Sequence, residues 1–184
     1  MAASDRDPST APAPAGWTAC LSAEALARRL DEEINRAGRQ GTPLSCLLVT
    51  IGNLEELSRE HGAELAERTL EYVQGALRRQ LRAFDRIGRP SGNELLVVLP
   101  GADGPRGETV ARRALTRLRT IKIEADGRRR PLRVSVGLAD WREGLRSEEL
   151  IAHTRAAARA ETGVAAAADA VATSPPALGR PGPA

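Results

Sequence analysis

Arg82 and Asp85 stand three residues apart in "RAFDRIGRPSGNELLVVLP" (82–100), just ahead of Pro90-Ser91-Gly92-Asn93 and Glu94. A guanidinium fork bonds two acceptors in one plane, such as two phosphate oxygens or the O6 and N7 edge of guanine. A carboxylate accepts from the N–H donors of the same kind of ligand. On one helical turn or at a helix end, residues i and i+3 share a side. The spacing alone is a weak signal: with 26 arginines and eight aspartates in the chain, about one R-x-x-D arises by chance. A second pair, Arg28/Asp31, is expected to be a solvated ion pair. The Pro-Ser-Gly-Asn stretch is expected to be a scaffold turn, since Gly and Asn reach positive φ at little cost.

The other reactive side chains point elsewhere. His61 and His153 share no ligand-like spacing with acids or cysteines and are expected on helix surfaces. Cys20 and Cys46 lack a partner motif and are expected as small buried hydrophobes in a reducing compartment. "DGRRRPLR" (126–133) is expected as a solvated basic hairpin tip. Only Trp17, Tyr72, Phe84 and Trp141 are aromatic, and the net charge of +3 is spread along the chain, which argues against a nucleic-acid partner. No apolar run has the length of a membrane span, and "MAASDRDPSTAPAPAG" lacks the layout of a signal peptide. A cytoplasmic protein without a cofactor is expected.

Elements must position the Arg82/Asp85 pair. Residues 1–16 and 164–184 are rich in Ala, Pro, Gly and Ser, carry no apolar period, and are expected to be disordered tails around one domain, 17–163. Ser22 can cap a helix with Leu26, Leu30 and Ile34 on one face, ending near Gly38. "PLSCLLVTI" (43–51) suits a strand buried on both faces. A helical stretch follows, broken at His61-Gly62, then "AELAERTLEYVQGALRRQLR" with Leu65, Leu70, Val73, Leu77 and Leu81 on one stripe. "RIGR" and "ELLVVLP" form a hairpin, "ETVARRALTRLRTI" is amphipathic, and "IKIEADGRRRPLRVSVGLA" reads as a strand pair turning at Ala125-Asp126-Gly127. Ser147 caps a last helix ending at Gly163. That order predicts an α/β sandwich with a mixed, mostly antiparallel central sheet flanked by helices.

Four stretches in this order resemble the GGDEF domain of diguanylate cyclases. "WTACLSAEAL" is similar to the family's L-T-G-L-x-N-R-x-x-F and keeps Thr18. "LLVTIGNLEELSREHG" stands at D-I-D-x-F-K-x-x-N-D-x-x-G and keeps Ile51 and Gly62. "RAFDRIGRPSGNELLVVLPG" overlays R-x-x-D-x-x-x-R-x-G-G-D-E-F-x-x-x-L-P-G without a gap, and "LRVSVGLAD" resembles V-T-V-S-I-G-V-A. The resemblance, over 17–163, implies a ferredoxin-like, nucleotidyl-cyclase-type fold. It also implies an ancestry in enzymes that join two GTP molecules into cyclic di-GMP.

The same overlay implies lost catalysis. The family's metal-holding carboxylates fall on Thr50 and Asn93, with Gly52 at the second position of the first strand. Magnesium facing a triphosphate needs carboxylates. The guanine-reading pair falls on Ser58 and Arg59. The signature reads Ser91, Gly92, Asn93, Glu94 and Leu95, and Ser91 adds a side chain where backbone lies near phosphate. Arg82 and Asp85 match the family's inhibitory site, which binds cyclic di-GMP, and Arg113 is the gapless match for its helix arginine, with Arg112 and Arg117 as alternatives. The resemblance thus implies a catalytically inactive cyclic di-GMP receptor that signals to a protein partner, with a homodimer possible; the alternative is a nucleotide-independent interaction scaffold. With only tails beside the domain, regulation is expected to come from a ligand, a partner or expression.

Overall fold

Eight consecutive residues, Leu44–Ile51, form the strand on which the chain is organised (β1), and all but Thr50 are buried. An apolar run on both pleat faces is what a strand covered on both sides requires. The computed structural model describes residues 20–164 and Ala172–Thr173. The tail expected over 1–16, with Trp17 and Thr18, and all of the one over 164–184 except Val164 and Ala172–Thr173, lie outside the described residues.

In chain order the elements are α1 (Ala23–Gln40), β1, α2 (Leu54–His61), α3 (Ala63–Arg78), β2 (Arg86–Ser91), β3 (Glu94–Pro100) and α4 (Gly104–Arg119). Then come β4 (Lys122–Ala125), β5 (Arg128–Pro131), β6 (Val134–Asp140), α5 (Ser147–Val164) and β7 (Ala172–Thr173). The main sheet runs β2-β3-β1-β6-β7, and β4-β5 form a separate ribbon. β1 is antiparallel to both β3 and β6, β2 is antiparallel to β3, and β6 and β7 are parallel. The mixed, mostly antiparallel sheet is the expected architecture.

Alternation along β1 divides the core. Leu47 and Val49 face a cluster with Leu70, Val73 and Leu77 of α3 and Leu115 of α4. Cys46 and Leu48 face the opposite cluster with Leu26 and Leu30 of α1 and Leu150 of α5. Two glycines set the closeness of the second layer. A Cβ on Gly88 would meet Leu26 at 2.8 Å, and one on Gly137 would fall on the α5 backbone at Thr154 and Ala158.

Several boundaries differ from expectation, each for a local reason. α1 continues past Gly38, which stands beside the Trp141 ring, and stops at Gly41, whose left-handed φ of 61° sends its N–H back to Ala37 O. α3 stops at Arg78, where the Gln80 and Leu81 amides fold back onto the Leu77 and Arg78 carbonyls; Arg82 therefore lies beyond the helix. α4 begins four residues earlier than read, because Asp103 caps it and Pro105 fits its first turn. Ser147 is not the cap of α5: Glu149 reaches back to the Arg146 amide at 2.9 Å, so Arg146 holds that position.

The segment read as one strand pair is three strands. β4 and β5 turn at Asp126 and Gly127, both left-handed (φ 51° and 69°), and β6 joins the main sheet instead. The β2–β3 connection is also tighter than read. Pro90 and Ser91 belong to β2, leaving Gly92-Asn93 as the turn, and neither turn residue has a left-handed φ. Pro90 is tolerated because it lies where β2 and β3 shift register, between Gly88 and Ser91. The outer side of β2 is met by Leu21, whose amide donates to Ile87 O (3.0 Å) and whose carbonyl accepts from the Arg89 amide (2.9 Å).

Candidate functional site

The β2–β3 turn and the end of β1 form one corner, because β1 and β3 pair in register with Thr50 opposite Glu94. The Ile51 amide donates to Asn93 O at 3.0 Å, and the Asn93 side-chain amide donates back to Ile51 O at 3.3 Å. Two carboxylates flank the turn, each gripped by a guanidinium. Arg89 holds Glu67 of α3 through both terminal nitrogens (2.8 and 2.9 Å) and also donates to Gly92 O. Arg155 of α5 grips Glu94 through Nε (3.0 and 3.1 Å) and Nη2 (2.8 Å), while the Ser91 hydroxyl donates to Glu94 at 2.8 Å.

These pairs set the charges. Burial works against ionised Glu94, but the bonds from Arg155 and Ser91, with the charges of Arg155 and Arg159, outweigh it and hold the carboxyl below its usual range. The Glu94 bond in turn raises Arg155. Glu67 is held down by its bond from Arg89. At the β1–α2 junction, Gly52 donates to Arg133 O, and Asn53 bonds both Pro131 O and the Arg133 amide. Ser58 is half-buried on α2 and Arg59 exposed.

Arg82 and Asp85 are brought together, but not as two side chains turned to solvent. The Asp85 carboxylate, 6% exposed, accepts from the backbone N–H of Arg82 at 2.7 Å, and the Asp85 amide donates to Arg82 O at 3.2 Å. Burial pushes the Asp85 carboxyl up, opposed by that N–H and by the charges of Arg82 and Arg86. The Arg82 guanidinium is exposed and lies 5.8 Å over the Phe84 ring. Arg112 and Arg113 are exposed on α4. Arg117 lines a cleft with Tyr72, Lys122 and Arg129. Among the described residues, no hydrogen bond or ion pair links Arg113 to Arg82 or Asp85.

Two expectations for peripheral residues are corrected. Arg28 pairs with Glu24 (2.5 Å), one turn back, rather than with Asp31. His61 is not a surface residue. Its side chain is 7% exposed, with Nδ1 3.0 Å from Asp126 and Nε2 3.6 Å from Glu60. The tip of the basic hairpin, 126–129, is exposed as expected, while beyond it Arg130 pairs with Glu60 (2.7 Å) and Arg133 with Glu56 on α2. His153 is exposed as expected, Cys46 is buried, and Cys20 is half-buried. Glu67 and Arg155 were not legible as site residues, since nothing in one sequence pairs position 94 with 155. The match of Arg89 to the signature arginine was the only available hint.

A family profile described as "Diguanylate cyclase, GGDEF domain" matches residues 18–162. The chain is 26% identical over 127 residues to the diguanylate cyclase DgcP of Pseudomonas aeruginosa, covering 69% of this chain and 19% of that protein. It is 29% identical over 123 residues to DosC of Escherichia coli K12, covering 66% and 27%. The chain thus spans between about a fifth and about a quarter of the length of these curated relatives. Among solved structures, the GGDEF domain of DgcB from Caulobacter crescentus in complex with c-di-GMP superposes with a TM-score of 0.77 at 15% identity, covering 89% of this chain and 98% of that one. SiaD of P. aeruginosa in complex with its activator SiaC gives 0.73 at 23%, covering 78% and 55%. At these identities the superpositions carry the fold. No described helix is long and apolar enough to cross a membrane.

Proposed function

Because the chain belongs to the GGDEF domain family, we propose that it is a non-catalytic member of it, a receptor that binds cyclic di-GMP through Arg82, Asp85 and Arg113 and signals to a protein partner. The observation that carries this reading is the state of Glu94, which is committed to Arg155 and Ser91 through four hydrogen bonds. Hard cations facing a triphosphate require free carboxylate oxygens. At the corner where the family's chemistry implies them stand Thr50, Gly52 and Asn93, whose Nδ2 donates to Ile51 O and whose Oδ1 is uncharged. These residues do not fit magnesium.

Arg82 supports the ligand assignment. Its guanidinium is exposed, and the fork suits a guanine edge or a phosphate. The role of Asp85 in this reading is to hold the turn that aims Arg82, through the bond to the Arg82 amide. That a solved GGDEF domain carries c-di-GMP, and that SiaD was solved with an activator protein, support the ligand and partner classes.

The same Asp85 bond favours a second reading, a scaffold without a nucleotide, because it directs one carboxylate oxygen at the main chain rather than at a ligand. Calorimetric titration of cyclic di-GMP separates the two. The receptor reading expects saturable binding by the wild type, lost in Arg82→Ala, with no product from GTP and magnesium. Absence of binding leaves the scaffold reading, and GTP turnover that disappears in Glu94→Ala overturns the non-catalytic assignment.

A further inference from the structure

The pleat of the β4–β5 ribbon separates its charges. Arg130 faces α2 and its Glu60, so Arg129 must face the other way, as must Lys122 and Glu124 two residues apart on β4. That second face meets the last turn of α4 and the middle of α3. Together they enclose a cleft of about 340 Å³, lined in part by Arg117, Lys122, Arg129, Glu124 and Tyr72. Lys122 is the one lysine in the chain.

Four arginines elsewhere have carboxylate partners. Arg89 has Glu67, Arg130 has Glu60, Arg133 has Glu56 and Arg155 has Glu94. The side chains of Arg117, Lys122 and Arg129 have no ion-pair partner among the described residues, and Glu124 is the single carboxylate lining the cleft. Three cations against one carboxylate leave the concavity with an excess of positive charge that a further anion relieves. Tyr72 adds a ring that is 53% exposed, a surface on which a flat ring stacks. The Thr120 hydroxyl donates to Arg117 O at 2.7 Å and fixes the turn that carries Arg117.

We propose that this cleft binds an organic phosphate bearing a planar ring, of the size of a nucleoside monophosphate. Lys122 and Arg129 meet the phosphate, one as a point charge and one as a fork, while Tyr72 stacks the ring. The volume lies at the small end of ligand pockets and suits one nucleotide. The negative carboxyl end of α4 opposes an anion here, which is why the site needs three cations rather than one. This site is separate from the Arg82 reading and does not depend on it.

The test is calorimetric titration of the full chain with guanosine and adenosine 5′-monophosphates and with pyrophosphate, all without magnesium. Lys122→Ala and Arg129→Ala are each expected to weaken the monophosphates about tenfold. Tyr72→Ala is expected to weaken the monophosphates and spare pyrophosphate. No saturable binding up to about 10 mM probe, or binding that survives both cation variants, overturns the proposal. Equal losses of monophosphate and pyrophosphate in Tyr72→Ala refute the stacking ring. Capture of a polyglutamate peptide with no nucleotide binding assigns the cleft to an acidic protein instead and also overturns it. All three cleft variants alter side chains lining an open cleft, and circular dichroism checks that each retains the fold.

Discussion

Replacing Arg155 with methionine isolates the grip on Glu94. The Glu94 side chain is 13% exposed and the Arg155 side chain 34%, so the pair lies between a surface ion pair worth under about 1 kcal/mol and a buried one whose breakage costs about 3–5 kcal/mol. Methionine keeps the stem packing and leaves Glu94 with the Ser91 hydroxyl as its hydrogen-bond donor, which places the loss at about 2 kcal/mol. For a folded unit of this size that is a fall in Tm of about 6 °C. The pH dependence supplies the sharper readout. In the wild type the Glu94 carboxyl sits below its usual range. Its contribution is therefore complete above the unfolded value of about 4.3 and is lost as pH falls through the lower folded one. Without Arg155, burial is the largest remaining influence on Glu94 and acts upward against the Ser91 bond and the Arg159 charge; we expect it to prevail, so that the folded carboxyl titrates above the unfolded one. The sign of that contribution then reverses: the variant recovers part of its deficit as pH falls from 7 and Glu94 takes up a proton. Thermal denaturation of both proteins from pH 7 to 4 measures this. A Tm change below about 1 °C at pH 7, or a deficit that does not shrink on acidification, refutes the structural importance of the pair. Glu94→Gln in the Arg155→Met background should remove the pH dependence of the deficit.

Gly137→Ala should cost about 3 kcal/mol or more in urea denaturation, since its Cβ would fall on the Thr154 and Ala158 backbone and α5 must shift to accept it. Asp103→Ala should lose about 1 kcal/mol by removing the side-chain bond to the Arg106 amide that opens α4. Asp85→Asn keeps an acceptor for the Arg82 amide but not the buried charge. Because burial raises the folded Asp85 carboxyl, the wild type loses that part of its stability as pH rises through the raised value; the variant should lack this loss, and chemical denaturation at pH 4 and pH 7 checks it.

The strands were readable because burial on both sides leaves an unambiguous trace: Leu44–Ile51 has little polar character to confuse it, and the anchored hairpin at Leu95–Leu99 repeats the pattern. Helix ends were less legible. Gly38 looked like a stop, yet it serves the Trp141 ring, while the actual stop at Gly41 depends on a backbone angle that composition does not encode. The corner around Glu94 was half legible. The overlay located Thr50, Asn93 and Glu94, but the partners of Glu94 and Arg89 lie 61 and 22 residues away in the chain, and a guanidinium on an amphipathic helix gives no sign of what it will meet. His61 was misplaced for the same reason, its closer contact being with Asp126 at the tip of a ribbon far along the chain.

The treatment of β2 bears on how the protein behaves in a crowded solution. An outer strand normally presents a row of open amides and carbonyls on which another chain can grow. Here the Ile87 carbonyl and the Arg89 amide are taken by Leu21, and beyond them β2 is irregular, its register with β3 shifting between Gly88 and Ser91. A fibril or a swapped strand seeking that margin meets an occupied groove followed by an irregular stretch. Unbinding the segment before α1 is therefore the step that would expose this side to templated assembly.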